Sequence, residues 1–400
     1  MINKNINKQL LKLIVLSIFT INVFAAYFPN SDSWEISSPE AEGTTSEKVD
    51  ALLNLAFSDD ATQAVVIVKN GKIISEKYAA GYNFNSFGTS WSMAKSYYAG
   101  LIGISIDRGE ITSLDDKVSE YLDYFQDERS EITIRDLLNM SSGLDFPIHE
   151  HERMFFQQDH LKYAKKVGVE KLPGIKFEYN NVNSMLLGDI LLEVTGQKAD
   201  ALLQERILDP IGVTDSRLWK DEMGNVLTYC CVDMSARSYS KIGLLFARNG
   251  NWSGNQIISQ DFIEETFQVI WEIESWNGGI RGYSLHWWVS KYDDESKIFN
   301  TSGKFGQFTF VDRENDVVVT RITKYNQDDM GSTQKWGIMR YLKWAGVDNA
   351  IKVGRALIEV GQIQAGSDVI TPFTDEEGES KEFYQKYQEI INAIADISRN

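Results

Sequence analysis

The alternation of apolar and polar positions divides the chain into strand-rich ends and a helical middle. Residues 62–79 contain two β-branched runs on either side of Asn70-Gly71, and this arrangement predicts a β-hairpin. Further strands are predicted at 283–289, 297–300, 307–311 and 316–323, the last two forming a second hairpin. Between about residues 108 and 265 the pattern is mostly helical, and a helix is predicted again at 333–345. We therefore expect one sheet built from both ends of the chain, a helical insertion, and a cleft between the two parts.

The N-terminal residues have the features of an export signal. Three lysines within the first twelve residues precede the apolar run 13–24, which ends at Ala25-Ala26. A basic segment, a short apolar core and small residues are typical of a secretory signal peptide. We expect residues 1–26 to be removed on export to the periplasm or the exterior, without stable membrane insertion afterwards. An uncleaved membrane anchor is the alternative.

Composition excludes some partners and leaves others open. The net charge of −17 argues against nucleic acid and anionic membrane surfaces as partners. The cysteines, Cys230 and Cys231, are adjacent in the chain and cannot join distant segments. We expect two buried thiols here, with a vicinal disulfide as the alternative.

The most informative motif is Ser92-Met93-Ala94-Lys95, directly before the apolar run 97–106. Residues three apart on a helix share a face, so Lys95 can reach the Ser92 hydroxyl. An amine kept neutral by burial can take the proton of a serine and make it a nucleophile. The alternative is a helix-capping serine with a surface lysine. The same spacing recurs at Ser238–Lys241 and Ser332–Lys335, so the motif alone is not specific.

Two later motifs carry compatible chemistry. Tyr179-Asn180-Asn181 follows a Pro-Gly turn and precedes a predicted helix, which places the phenol on a loop. A phenol near a lysine ammonium can relay protons, although a short motif of this kind is often a turn with an aromatic plug. The segment 301–307 contains Gly303 and Gly306 between two strands, where backbone N–H groups can bind an oxyanion or simply form a bend.

In this order, the three motifs resemble the serine β-lactamase superfamily. That superfamily includes class C β-lactamases, D-Ala-D-Ala carboxypeptidases, esterases and 6-aminohexanoate-dimer hydrolases. The resemblance spans about residues 45–345 and extends to the stretches 132–144, 186–196 and 236–243. It implies an α/β (α+β) fold of β-lactamase/transpeptidase type, with an antiparallel sheet flanked by helices and a mostly helical second lobe.

The resemblance also assigns roles to the motif residues. Ser92 would be the acylated nucleophile, Lys95 its general base, and Tyr179 the proton shuttle to the leaving group. Asn181 would hydrogen-bond Lys95 or the substrate. The backbone N–H groups of Ser92 and Lys304, beside Gly303, would form the oxyanion hole. No cofactor or metal is implied.

The resemblance implies a domain over 27–346, preceded by the signal peptide. Its sheet lobe would comprise about 45–107 and 266–346, and its helical lobe about 108–265. Residues 347–400 form a C-terminal extension with a final amphipathic helix. The sequence indicates no role for this extension.

One position narrows the expected substrate. Thr301 stands where members that bind β-lactam carboxylates usually carry Lys or His. Thr301 offers no fixed positive charge, and the form Ser302-Gly303-x-x-Gly306-Gln307 looks more like the 6-aminohexanoate-dimer hydrolase and esterase branch than like true β-lactamases. Its expected partner is a small ester, amide or short peptide.

Three alternatives remain open. One is a catalytically idle protein that binds peptidoglycan or a peptide on the same scaffold. A second is a D-Ala-D-Ala carboxypeptidase or β-lactamase. The third is a metal-dependent hydrolase built on His149-Glu150-His151, although no His-Glu-x-x-His motif accompanies this pair.

Overall fold

The structure is a computed structural model. It describes residues 26–30, 33–147, 151–155, 157–274, 280–292, 297–324, 349, 352–353 and 381–399. Within these ranges lie a large sheet, helices on both of its faces, and a mostly helical lobe beside it. The expected fold class is confirmed.

The large sheet of the described residues is antiparallel at every pairing and has eight strands in the order β2-β1-β13-β12-β11-β10-β9-β8. Its strands are β1 (Thr62–Lys69), β2 (Lys72–Tyr78), β8 (Trp271–Glu274), β9 (Ile280–Ser284), β10 (Trp287–Tyr292), β11 (Lys297–Gly303), β12 (Gln307–Asp312) and β13 (Val317–Thr323). Because β1 pairs with β13, the two ends of the chain form one sheet, as the pattern predicted.

The turns explain where the strand predictions succeeded and failed. Asn70 and Gly71 have φ of 53° and 79°, so the predicted β1–β2 hairpin is confirmed. The single strand predicted at 283–289 is wrong. Leu285 and His286 adopt φ of 40° and 65° and reverse the chain, which produces the β9–β10 hairpin. Apolar residues at a turn gave no sequence signal for this reversal.

The helices are α1 (Ser46–Ala56), α2 (Ala94–Asp107), α3 (Ile134–Leu138), α4 (His151–Phe155), α5 (His160–Ala164), α6 (Asn181–Thr195), α7 (Ala199–Leu203), α8 (Ala236–Ala247), α9 (Gln260–Thr266) and α10 (Lys381–Ser398). A π-helical turn, Gln204–Leu208, directly follows α7. Helix α2 is buried from Ala94 to Ser105. A helix that is apolar on all sides belongs inside a protein, and α2 lies in the larger apolar core.

The large sheet separates two apolar cores. On β1, Val66 and Val68 face the larger core with α2 and α8, whereas Val65 and Ile67 face a second core. Successive strand residues point to opposite faces, so a strand buried on both sides is apolar throughout. The second core is closed by α1 and α10, which pack against each other. The C-terminal helix is therefore part of the folded unit.

Smaller strands that the sequence did not predict connect the helical lobe to the segment just before Ser92. Strands β3 (Phe87–Thr89), β4 (Arg217–Leu218) and β5 (Val232–Ser235) form a three-stranded sheet in the order β3-β5-β4. Strands β6 (Asn251–Trp252) and β7 (Asn255–Gln256) form a hairpin. Just before β5, Cys230 and Cys231 form a disulfide, so the expectation of two buried thiols is wrong.

Several sequence predictions concern residues outside the described ranges. They are the signal peptide apart from Ala26, the helix at 333–345, the Ser332–Lys335 match and the His149-Glu150 dipeptide. In the part of the chain that is described, no helix combines the length and hydropathy needed to cross a membrane.

The packing of α10 yields a first prediction. Ile394 is 1% exposed in the core that α10 shares with α1 and the sheet. We expect Ile394→Ala to lower the free energy of unfolding by about 2–5 kcal/mol, because it removes buried methyl groups and leaves a cavity. Denaturant unfolding measures this loss. The exposed neighbour provides the control: Asn392→Ala should change stability by less than about 0.5 kcal/mol. Equal, small effects of both substitutions would contradict the structural role of α10.

Candidate active site

Ser92 lies in a strained turn at the N-terminal end of the buried helix α2. The turn is a 3-10 segment, Trp91–Met93, that continues into Ala94 and the helix. Trp91 has a φ of 45°, a left-handed conformation that costs a non-glycine residue about 1–3 kcal/mol. Its ring is held by aromatic contacts to Phe305 at 5.5 Å and Trp219 at 6.4 Å. The turn leaves Ser92 partly exposed beside buried neighbours.

Strand β5 fixes the backbone that precedes the serine. The Ser90 N–H donates to the Val232 carbonyl at 2.8 Å, and the Val232 N–H donates to Ser90 Oγ at 2.8 Å. The Cys231 N–H donates to the Trp91 carbonyl at 3.3 Å. These bonds come from residues about 140 positions away along the chain. They supply the tertiary constraint that maintains the strained turn.

The structure brings Lys95 to Ser92, as the motif predicted. Lys95 is 1% exposed, and its Nζ lies 3.0 Å from Ser92 Oγ. The amine also donates to the Tyr229 carbonyl at 2.6 Å. Burial holds the pKa of Lys95 well below its ordinary value, because the charged form loses its hydration. Ser92 therefore lies next to an amine whose neutral form is favoured.

Tyr179 joins this pair from the loop that precedes α6. The Lys95 amine lies 4.9 Å from the centre of the Tyr179 ring. Desolvation raises the pKa of Tyr179, while a hydrogen bond with Ser92 and the charge of Arg281 act in the opposite direction. The loop is placed by the Glu178 N–H, which donates to the Met140 carbonyl at 2.7 Å. Ser92, Lys95 and Tyr179 thus form one cluster.

Asn181 makes no hydrogen bond to Lys95 in the described part of the chain, so the substrate is the partner still expected for it. It is the first residue of α6, and Asn180 caps that helix by accepting from the Val182 N–H at 2.8 Å. Asn181 is 8% exposed, and its Oδ1 accepts no hydrogen bond from the described residues. Within those residues the Tyr229 carbonyl, rather than Asn181, holds the Lys95 amine. The Asn181 amide oxygen is left as a buried acceptor.

The glycine-containing segment 301–307 lies against the turn that carries Ser92. A Cβ at Gly303 would lie 2.1 Å from the Ser90 carbonyl oxygen, so only glycine fits where β11 meets this turn. Lys304, the next residue, has an exposed side chain, and its Nζ lies 5.3 Å from the centre of the Phe305 ring. Thr301 is 1% exposed and pairs with Thr309 of β12. The Thr301 side chain therefore contributes no charge and little accessible surface.

The competing motif at Ser238 has a structural explanation. Ser238 and Lys241 lie on α8, where the Ser238 hydroxyl donates to Asp215 at 3.3 Å. The Lys241 amine donates instead to the carbonyls of Gly212 and Asn30, at 2.8 and 3.0 Å. This serine and this lysine are thus occupied by other partners.

An aromatic wall beside Tyr179 was not assigned to the site from sequence. Trp288 stacks on Tyr179 with ring centres 6.0 Å apart and an angle of 23°. Tyr283 meets Trp288 edge-on at 4.7 Å, and Phe177 contacts Tyr283 at 5.0 Å. Trp287 faces the other way and packs on Phe246 in the core. The sequence did offer one signal for this wall, the adjacent pair Trp287-Trp288. Because neighbouring residues on a strand face opposite sides, the two rings could not both pack into the same core.

The described histidines serve separate buried networks. The His286 ring lies 2.9 Å from Ser184 Oγ, and burial lowers its pKa to about 3. The His160 ring lies 3.0 Å from the Tyr229 hydroxyl, and burial lowers its pKa to about 4. Among the residues that the structure describes, no group of three or more His, Cys, Asp or Glu could hold a metal ion.

The family model described as Beta-lactamase matches residues 59–341, which includes every residue of the cluster. The chain belongs to the Beta-lactamase family. The predicted resemblance to the serine β-lactamase superfamily is therefore confirmed.

Individual relatives of this Beta-lactamase family chain are distant. It is 28% identical over 178 residues to a Bacillus subtilis (strain 168) protein provisionally named penicillin-binding protein PbpX, covering 42% of this chain and 43% of that protein. The first curated relatives are matched over less than half of their length.

Two solved structures share the fold. One is a Bacillus anthracis protein provisionally named 6-aminohexanoate-dimer hydrolase, with a TM-score of 0.60, 20% identity, and coverage of 82% of this chain and 88% of that chain. The other is a family VIII carboxylesterase, with a TM-score of 0.60, 18% identity, and coverage of 74% and 94%. At these identities the likeness concerns the fold.

The contact at Gly303 yields a second prediction. We expect Gly303→Ala to lower the reactivity of Ser92 by about 100-fold, because the new Cβ must push β11 away from Ser90 and displace the turn that carries Ser92. Steady-state kinetics with a nitrophenyl ester measures the loss. Gly168→Ala is the matched control, since a Cβ there meets no atom within 4 Å. Unchanged turnover in Gly303→Ala would show that β11 does not position the serine.

The buried amine yields a third prediction, on stability against pH. The pKa of Lys95 is lower in the folded protein than in the unfolded chain. At pH values between these two pKa values the unfolded chain binds more protons, so the free energy of unfolding rises with pH. Lys95→Met removes this dependence. The difference in melting temperature, Lys95→Met minus the natural chain, should therefore be largest in acid to neutral buffers. It should fall as the pH approaches the ordinary lysine pKa.

Thermal unfolding across this pH range checks the sign of the effect. Lys304→Met is the control, because its ammonium is exposed and remains in water in both states. If Lys95→Met and Lys304→Met show the same pH dependence, burial does not suppress the charge on Lys95.

Proposed function

We propose that this Beta-lactamase family member is a serine hydrolase that cleaves an ester or amide bond through an acyl-enzyme on Ser92. The observation that carries the proposal is the 3.0 Å approach of the buried Lys95 amine to Ser92 Oγ, with the Tyr179 ring 4.9 Å from the same amine. A binding protein has no need of a buried amine beside a partly exposed hydroxyl. Burying that amine is costly, so the arrangement favours a catalytic role.

The chemistry follows from these contacts. The neutral Lys95 amine takes the Ser92 proton as Oγ attacks the substrate carbonyl and a C–O bond forms. The backbone N–H groups of Ser92 and Lys304 bind the oxyanion of the tetrahedral intermediate, a contribution of about 2.7–4 kcal/mol per donor. The intermediate collapses when Tyr179 gives a proton to the leaving group, and the lysine-bound proton then restores the phenol. Water repeats the sequence in reverse and releases the acid product.

Two observations support an ester or linear amide as substrate. Thr301 is buried and uncharged, so it supplies no cation for a β-lactam carboxylate. In the aromatic wall next to Tyr179, Trp288 and Phe177 are partly exposed and suited to an apolar acyl or alcohol group, with the buried Tyr283 packed behind them. Fold neighbours named as an esterase and a 6-aminohexanoate-dimer hydrolase agree with this choice.

We also propose export to the periplasm or exterior, supported by the basic and apolar N-terminal residues.

The fourth prediction tests the nucleophile. Ser92→Ala is expected to abolish turnover of short-chain nitrophenyl esters and covalent labelling by a fluorophosphonate probe, because among the described residues Ser92 supplies the hydroxyl that is hydrogen-bonded to Lys95. Intact-mass spectrometry and kinetics measure the two effects. Ser238→Ala is a matched control, since it alters the second Ser-x-x-Lys motif and should leave both signals unchanged.

Two outcomes would overturn the proposal. A folded natural chain that neither forms an adduct nor turns over any ester or amide would indicate a binding protein. Rapid nitrocefin or D-Ala-D-Ala peptide turnover, exceeding that of all esters, would indicate a β-lactamase or carboxypeptidase instead.

A further inference from the structure

Arg281 introduces a cation next to the proposed proton shuttle. Its Cζ lies 4.0 Å from the centre of the Trp288 ring, and Trp288 stacks on Tyr179. Arg281 is partly buried and belongs to β9, which follows Ser92 and Tyr179 by more than 100 positions along the chain. A guanidinium keeps its charge at all accessible pH values.

The position of Arg281 is fixed from a second side by the C-terminal helix. Its Cζ lies 5.2 Å from the centre of the Tyr387 ring of α10. The Tyr387 hydroxyl donates to Asn300 Oδ1 at 2.8 Å and is also hydrogen-bonded to Ser290. Asn300 pairs with Trp288 across β10 and β11. The guanidinium therefore lies between two aromatic rings that are tied to the same strands.

The other cations near the site cannot act on Tyr179 in the same way. The ammonium form of Lys95 is disfavoured by burial. The Lys304 side chain is exposed, where water weakens its field. Thr301 has no charge. Arg281 lowers the pKa of Tyr179 through its charge, against the effect of desolvation.

We propose that Arg281 is a positioning residue that stabilises the negative charge developing on Tyr179 as the phenol gives its proton to the leaving group. This inference rests on the shuttle role proposed above for Tyr179. It does not require Arg281 to touch the substrate. It also gives α10 a function, since Tyr387 holds the guanidinium in place.

The proposal makes a specific prediction about leaving groups. A nitrophenolate leaves without a proton, whereas an alkoxide or amine must be protonated, so only the second class depends on Tyr179 as an acid. Arg281→Met should lower kcat/KM for neutral alkyl esters or amides by about tenfold, and for neutral nitrophenyl esters by less than about threefold. Arg281→Lys, which keeps the charge, should recover much of the alkyl ester activity.

Controls separate this effect from a structural one. Arg313→Met removes another guanidinium stacked on a ring, that of Phe267 at 4.8 Å, and should affect both substrate classes equally or not at all. Circular dichroism verifies folding, and Arg281→Gln provides a second neutral variant if the methionine variant unfolds. Using uncharged substrates excludes direct binding of a substrate carboxylate.

The outcomes are distinct. Equal losses for both uncharged substrate classes in folded Arg281→Met or Arg281→Gln would overturn the inference. Activity that survives in Ser92→Ala would instead overturn the proposed function on which it rests.

Discussion

The site depends on placing one lysine amine in the interior of the protein. Transferring a charged ammonium out of water is expensive, and the chain avoids that cost by favouring the neutral amine. The amine retains one strong hydrogen bond, to the Tyr229 carbonyl, and lies within hydrogen-bond distance of Ser92 Oγ. The same burial that favours the neutral Lys95 amine also removes Lys95 as a source of positive charge in the site. Any cation that assists the reaction must therefore come from elsewhere in the fold.

Helix α2 makes this burial possible. Its residues from Ala94 to Ser105 are all buried, so the lysine at its first turn is surrounded by protein on every side. The serine one turn earlier remains partly exposed because the chain enters the helix through the strained Trp91 conformation. That strain is maintained by hydrogen bonds from β5 and by the close approach of Gly303 to Ser90. The hydrogen bonds come from the helical lobe, and Gly303 belongs to the large sheet. The position of Ser92 therefore depends on both parts of the fold.

The aromatic wall links the site to the other face of the sheet. Trp288 contacts Tyr179, Arg281 contacts Trp288, and Tyr387 of α10 contacts Arg281. Each contact is modest on its own, about 0.5–2 kcal/mol for ring and cation–π pairs. Together these contacts limit the positions that the Tyr179 phenol and the Arg281 guanidinium can take. Helix α10 is thereby connected to the Tyr179 loop through Arg281 and Trp288.

The sequence by itself determined the features that depend on neighbouring residues. Ser92 and Lys95 are one helical turn apart, so their contact follows from helix geometry once α2 is recognised. Asn70-Gly71 specifies its hairpin because the turn selects residues that tolerate positive φ. The apolar runs identified the strands from both ends of the chain, and the order of the three motifs identified the family.

Only the tertiary structure decided the features that depend on distant segments. No local pattern indicates that the Tyr229 carbonyl, rather than Asn181, holds the Lys95 amine, or that Leu285 and His286 turn the chain. The same is true of Arg281 and Tyr387, which are over ninety positions apart and meet near Trp288. Periodicity reports which face of an element is buried, whereas the packing of elements decides what each buried group meets. The contact between Ser92 and Lys95 was readable from sequence for this reason, and its electrostatic surroundings were not.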